Sequence, residues 1–136
     1  MKKHSIPAYM VLFVILAMLM GLVIEAGAYE RKSSDENSVR IEIIPEQLAP
    51  GKQAKFNIKM NTHSVELNQD MVAVFILKDD KGYEYRPIRW NGSPPGGHHR
   101  SGVLEFPAIG KGAKSVALHV KDIANVPERI FEWKIE

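Results

Sequence analysis

Cysteine is absent from the 136 residues, so disulfides, iron–sulfur clusters, thiolate metal ligands and a lipidated-cysteine anchor are all excluded. The fold has to be held by packing alone. A surplus of one charge is also missing, because 18 Lys and Arg against 16 Asp and Glu leave a formal +2. The lysines are interleaved with acids, which describes a solvated surface and not a stripe for nucleic acid. Nor does the chain carry a serine nucleophile elbow, a His-Glu-x-x-His pair, a phosphate-binding glycine loop or a dinucleotide fingerprint, so it is not expected to be an enzyme. Ser64 and Ser101 stand near histidines in the chain order, but nothing supplies the orienting acid and oxyanion donors that a triad needs.

The composition that remains is 45% hydrophobic and 25% charged, which suits a folded chain with room for one core. Lys2, Lys3 and His4 precede an uncharged apolar run, residues 8–24, followed by Ala26-Gly27-Ala28. That order is the order of an export segment. Its length falls between the roughly 7–15 residues of a signal-peptide core and the ~20 of a straight membrane span. Two outcomes stay open: a helix retained as a single-pass anchor, which we favour, or secretion after cleavage behind Ala28. Lysines before the run and Glu25 after it place the amino terminus in the cytoplasm and the rest outside the cell membrane. The expected organisation is a signal peptide or anchor over residues 1–28, a flexible linker over 29–38, rich in charge and serine, and one extracytoplasmic domain over 39–136.

Within that domain apolar and polar residues alternate, and turn-forming residues separate the runs. Val39, Ile41 and Ile43 define one strand, and Ala54, Phe56, Ile58 and Met60 a second. Residues 71–77 are almost continuously apolar, as in a central strand covered on both faces. Residues 83–90 return from the turn at 79–82, with Pro87 demanding an edge or a bulge. Residues 103–106, then 115–122 with Val116, Leu118 and Val120 inward, then 130–135 with Phe131, Trp133 and Ile135 complete the set. About seven strands in some 100 residues make an all-β Greek-key sandwich. Gly82-Tyr83 after the hairpin and the later Gly102-Val103-Leu104-Glu105-Phe106-Pro107 resemble the small immunoglobulin-like domains of bacterial and archaeal surface proteins. The resemblance implies an immunoglobulin-like β-sandwich and names no activity.

Strand direction predicts which loops meet, since alternate connections of an antiparallel sandwich lie at opposite ends. Residues 61–70, 91–102 and 123–129 should share one end, bringing together His63, Glu66, Asp70, His98, His99, Arg100, Asp122, Asn125, Glu128 and Arg129. Because the first strand runs away from that end, the linker is expected to join there too. In the loop 91–102, Pro94-Pro95 stiffens the chain and Gly96-Gly97 turns it, so that His98 and His99 are displayed.

One reading makes His63, Pro94, Pro95, His98, His99 and Arg100 the contacts for a protein partner at the outer face of the membrane. The alternative is a copper or zinc site with His63, His98 and His99 as ligands and Asp70, or Glu66, as a carboxylate. A simpler fate for the imidazoles is one bonded to neighbouring backbone and the other solvated. Arg100 and Arg129 are expected to pair with Asp70 and Asp122 and so brace the loop bases. Trp90 and Trp133 fit packing roles, and the parity of His119 turns it outward from its strand. Asn91-Gly92-Ser93 matches a glycosylation acceptor, which matters only where the machinery exists.

Overall fold

Alternation with a period of two puts one face of each strand into a core, and two such faces close on each other. The computed structural model describes residues 28–135, together with Met1, as this arrangement of two antiparallel sheets. The strands are β1 (Lys32–Glu36), β2 (Val39–Gln47), β3 (Gln53–Thr62), β4 (Phe75–Asp79), β5 (Glu84–Tyr85), β6 (Arg89–Gly92), β7 (His99–Ala108), β8 (Ser115–Ile123) and β9 (Val126–Lys134). One sheet has the order β1-β2-β3-β7-β6 and the other β5-β4-β8-β9. The export segment expected at residues 1–28 lies almost wholly outside the described residues, among which no helix is long and apolar enough to cross a membrane.

The inward faces are the ones the alternation specifies. Val39, Ile41, Ile43, Phe56, Ile58, Met60, Leu77 and Leu118 are fully buried. Phe56 sits at the centre, edge-on to Phe106 with centroids 5.7 Å apart and tilted against Trp133 at 5.4 Å. Each such aromatic contributes about 2–3 kcal/mol through burial, which is how a chain without disulfides holds together.

Four expectations need correction. Residues 29–38 are not a linker: β1 pairs along β2, and the two-residue turn Asn37-Ser38 has φ of +48° and +67°. Two successive positive φ values match the twist of a hairpin, and asparagine tolerates them best among non-glycine residues. Tyr29 packs on the core and Trp133 Nε1 donates to the Glu30 carbonyl at 2.7 Å, so the first of these residues are also held against the sandwich. Residues 71–77 are not one strand. Asp70 accepts a hydrogen bond from Val72 N at 3.0 Å and caps a single helical turn, α1 (Met71–Val74), before β4 starts.

The run 83–90 is two edge strands, not one. Tyr85 pairs with Leu77 in one sheet and Arg89 with Glu105 in the other, so the chain changes sheets at Pro87, where a missing N–H breaks no ladder. Finally, the loops 91–102 and 123–129 are shorter than expected. Strand β7 begins at His99, and β8 and β9 meet in a turn at Ala124-Asn125, again with two positive φ values, +53° and +59°.

The added strand reverses one inference. β2 starts where β3 ends, as the pairing of Val39 with Thr62 shows, and Glu36 pairs with Val39. β1 therefore runs toward this end, called the upper end below, and the chain enters the sandwich from the lower one. The end of β9 is also low, with Ile135 N donating to the Lys114 carbonyl at 2.8 Å.

Candidate functional site

Strand β7 runs antiparallel to β3 with His99 opposite Asn61, so residues 63–70 and 93–98 do share the upper end. They are joined and not merely neighbours. Leu67 N donates to Gly97 O at 3.0 Å and Gly96 N to Leu67 O at 2.8 Å, a reciprocal exchange like that of paired strands. Thr62 N donates to His98 O at 3.0 Å, and Gly97 N to Glu66 Oε1 at 2.9 Å. The positive φ of Gly96 and Gly97, +113° and +74°, allows the loop to bring these groups inward.

Beneath the paired loops lies Arg100, only 3% exposed. Its guanidinium donates to the carbonyls of Gln69 at 2.6 Å, Leu67 at 3.3 Å and Ser93 at 3.3 Å, and stacks 5.8 Å from the centre of the Trp90 ring. Trp90 Nε1 donates to the same Ser93 carbonyl at 2.9 Å. The ring lies across Gly92 and Gly102, which face each other on β6 and β7; a Cβ at Gly92 would stand 2.5 Å from Ser101 O and 2.7 Å from the ring. Burial pushes the Arg100 pKa down, and the nearby Asp70 carboxylate offsets part of that shift.

A second arginine repeats the arrangement. Arg129, also 3% exposed, donates to the carbonyls of Val39 and Glu36, both at 2.9 Å, while Asn37 Nδ2 donates to Ala124 O at 3.0 Å across the two tight turns. Each half of the upper end thus rests on one buried guanidinium that answers loop carbonyls. The expected pairing of these arginines with Asp70 and Asp122 does not form: Asp70 caps α1, and Asp122 is exposed. Carbonyl oxygens left unpaired where strands turn into loops need donors, and arginine supplies several from one side chain.

The candidate residues therefore divide. His63, Pro94, Pro95, His98 and His99 are exposed on the rim of the paired loops, while Arg100 is sealed beneath them and holds them from inside. His63 lines a cavity of about 360 Å³ with Asp35, Ser38, Arg40, Asn61 and Ser64. His99 Nδ1 lies 2.9 Å from Asn61 Oδ1, an acceptor, which puts the ring proton on Nδ1. Among the described residues no three His, Asp or Glu side chains are grouped to hold a metal ion. Glu128 belongs to the outer face of the four-stranded sheet, where it meets His119 Nδ1 at 2.6 Å and is held below its ordinary pKa by that bond.

Sequence reasoning missed the Trp90–Arg100 stack and the glycine pair beneath it. A signal existed: Gly92-Ser93 and Ser101-Gly102 mirror each other about the loop, which fixes the hairpin register. Comparison with protein-family models, curated proteins and solved structures gives no match.

Proposed function

We propose that the chain is an extracytoplasmic binding module, an immunoglobulin-like Greek-key sandwich tethered by its N-terminal segment, that presents its upper end to a protein partner. The observation that carries this reading is the reciprocal pairing of residues 63–70 with 93–98 over a buried arginine. Ordering two loops before contact lowers the entropy lost on association. The rim offers rigid prolines, imidazoles and the carboxylates of Glu66 and Asp70, with no Lys or Arg in residues 61–70 or 91–99. Such a surface suits a partner rich in cationic and hydrogen-bond-donating groups. Because the chain enters at the lower end, the rim points away from the tether, toward a partner that stands clear of the membrane surface.

The test is site-specific photocrosslinking of the full chain in its native membranes from position 95. A discrete adduct is expected, weakened at least about tenfold when His63, Pro94 and His98 are all replaced by alanine, since rim contacts of this kind contribute about 1 kcal/mol each. An adduct pattern unchanged by that triple substitution, in a protein that remains folded, would remove the proposal.

A further inference from the structure

The lower end is built from three turns, residues 48–52, 80–83 and 109–114. They are tied into one surface: Gly51 N donates to Ile109 O at 2.8 Å, Ile109 N to Lys52 O at 3.0 Å and Asp80 N to Ser115 O at 3.1 Å. Asp80 Oδ1 accepts from Lys114 N at 2.8 Å. These turns carry Lys52, Lys81, Lys111 and Lys114 against a single acid, Asp80. All four lysines are exposed, and the ion pairs among the described residues involve none of them. Glycines make room for two of their stems, because a Cβ at Gly51 would stand 3.1 Å from Lys111 Cγ and one at Gly112 would collide with Lys81. Tyr83, two residues from Lys81, is 66% exposed. The upper turns are the reverse, with Glu36, Glu66, Asp70 and Asp122 and no cation in residues 36–38, 61–70, 91–99 or 122–125.

The same lower end receives the chain. Glu30 is fixed there by Trp133 and Tyr29 packs against the core, and the apolar run 8–24 precedes them by only a few residues. Cations on the face nearest a bilayer are attracted to anionic headgroups over about one Debye length, ~8 Å. An exposed tyrosine suits the same interface, apolar ring inward and hydroxyl in water.

We infer that this lysine-bearing end rests on anionic phospholipid headgroups, which hold the domain upright on its tether. The inference rests on the tethered reading above. A single introduced cysteine can be labelled uniquely, since the chain has none. Two exposed positions report on the two ends: Ala108 at the lower finish of β7 and Ser64 at the upper rim.

The full chain carrying a fluorophore at Ala108→Cys or Ser64→Cys is reconstituted into vesicles of phosphatidylcholine alone or mixed with phosphatidylglycerol, each with a headgroup-linked quencher. Quenching of the Ala108 label is expected to be stronger in the anionic vesicles and to fall back in high salt, while the Ser64 label is spared in both. With roughly a fivefold gain per lysine near an anionic surface, replacing all four by glutamine should lower the docked-to-undocked ratio by about 100-fold or more. Circular dichroism checks that this variant keeps its fold.

Release of the chain from the vesicles would overturn the tether and this inference with it. A chain that stays bound but shows equal, salt-insensitive quenching in both lipids overturns the lipid contact alone and turns the lysines toward an acidic protein surface.

Discussion

The two ends of the sandwich solve the same problem with opposite charges. At the upper end the groups to be answered are backbone carbonyls, and buried Arg100 and Arg129 donate to five of them in total, three and two respectively, two of which also accept from Gly96 N or Trp90 Nε1. At the lower end the unpartnered groups are N–H donors. Asp79, 8% exposed, accepts from Lys81 N at 2.9 Å and Tyr83 N at 3.0 Å, and receives the Tyr85 hydroxyl at 2.7 Å. Tyr85 in turn accepts from Gly110 N at 3.0 Å. Burial pushes its phenol pKa up, against the pull of the Gly110 N–H and with the help of Asp79. The sign of the buried ion follows from which backbone group a turn leaves over, and the exposed residues carry the other sign. Cations lie inside and acids outside above, and the order is reversed below.

The comparison can be broken most directly at Arg100. Arg100→Ala strands the Gln69 carbonyl, leaves those of Leu67 and Ser93 with one donor each, Gly96 N and Trp90 Nε1, and removes the group stacked on Trp90, and the expected loss is about 3 kcal/mol in denaturant unfolding. Hydrogen exchange at residues 66–68 and 96–98 should rise even where the domain is folded. A loss below about 1 kcal/mol would mean that water replaces the guanidinium and that the upper end is not held from within.

Tyr85→Phe is the matching test below and should have a smaller effect, about 1–2 kcal/mol, because it removes two hydrogen bonds and leaves Asp79 with its backbone donors. Faster exchange should appear around residues 79–85 and 110 and leave the upper loops unchanged. Equal loosening of both ends would show that they do not respond independently.

The smallest effect is expected from acid, and its direction sharpens the contrast. Asp80, Glu84 and Glu128 are held below their ordinary values, chiefly by hydrogen bonds from Lys114 N, the Lys78 side chain and His119 respectively. A depressed carboxylate contributes stability that is present above its unfolded value, about pH 4, and is lost as pH falls through the folded value. Acid titration followed by exchange should therefore loosen the lower turn and the outer face of the four-stranded sheet first. The arginine-to-carbonyl bonds do not titrate in that range, so protection that depends on Arg100 and Arg129 should persist longest.

Much of this fold was legible because burial on one face imprints a period of two. β2, β3 and β8 followed from Ile41 and Ile43, Phe56 and Ile58, and Leu118 and Val120. The meeting of His63 with His98 and His99 at one end followed from strand direction alone. Residues 71–77 misled, because an apolar run fits a capped helical turn as well as a strand, and only Asp70 distinguishes them. β1 was invisible because an edge strand made of Lys, Ser, Asp and Glu has no buried face to write a pattern. Arg100 shares the parity of Leu104 and Phe106, and Arg129 that of Phe131 and Trp133, so alternation itself turns both inward, while nothing in the sequence marks the carbonyls they would meet.

The sequence by itself therefore determined the two layers, the core and the meeting of loops 61–70 and 91–102 at one end, since each depends on alternation within a strand and on antiparallel direction. Only the tertiary structure decided where the chain enters and which carbonyls the buried arginines answer. An edge strand is placed by contacts with residues as distant in sequence as Trp133, and a guanidinium meets its carbonyls only once folding has brought distant turns over it.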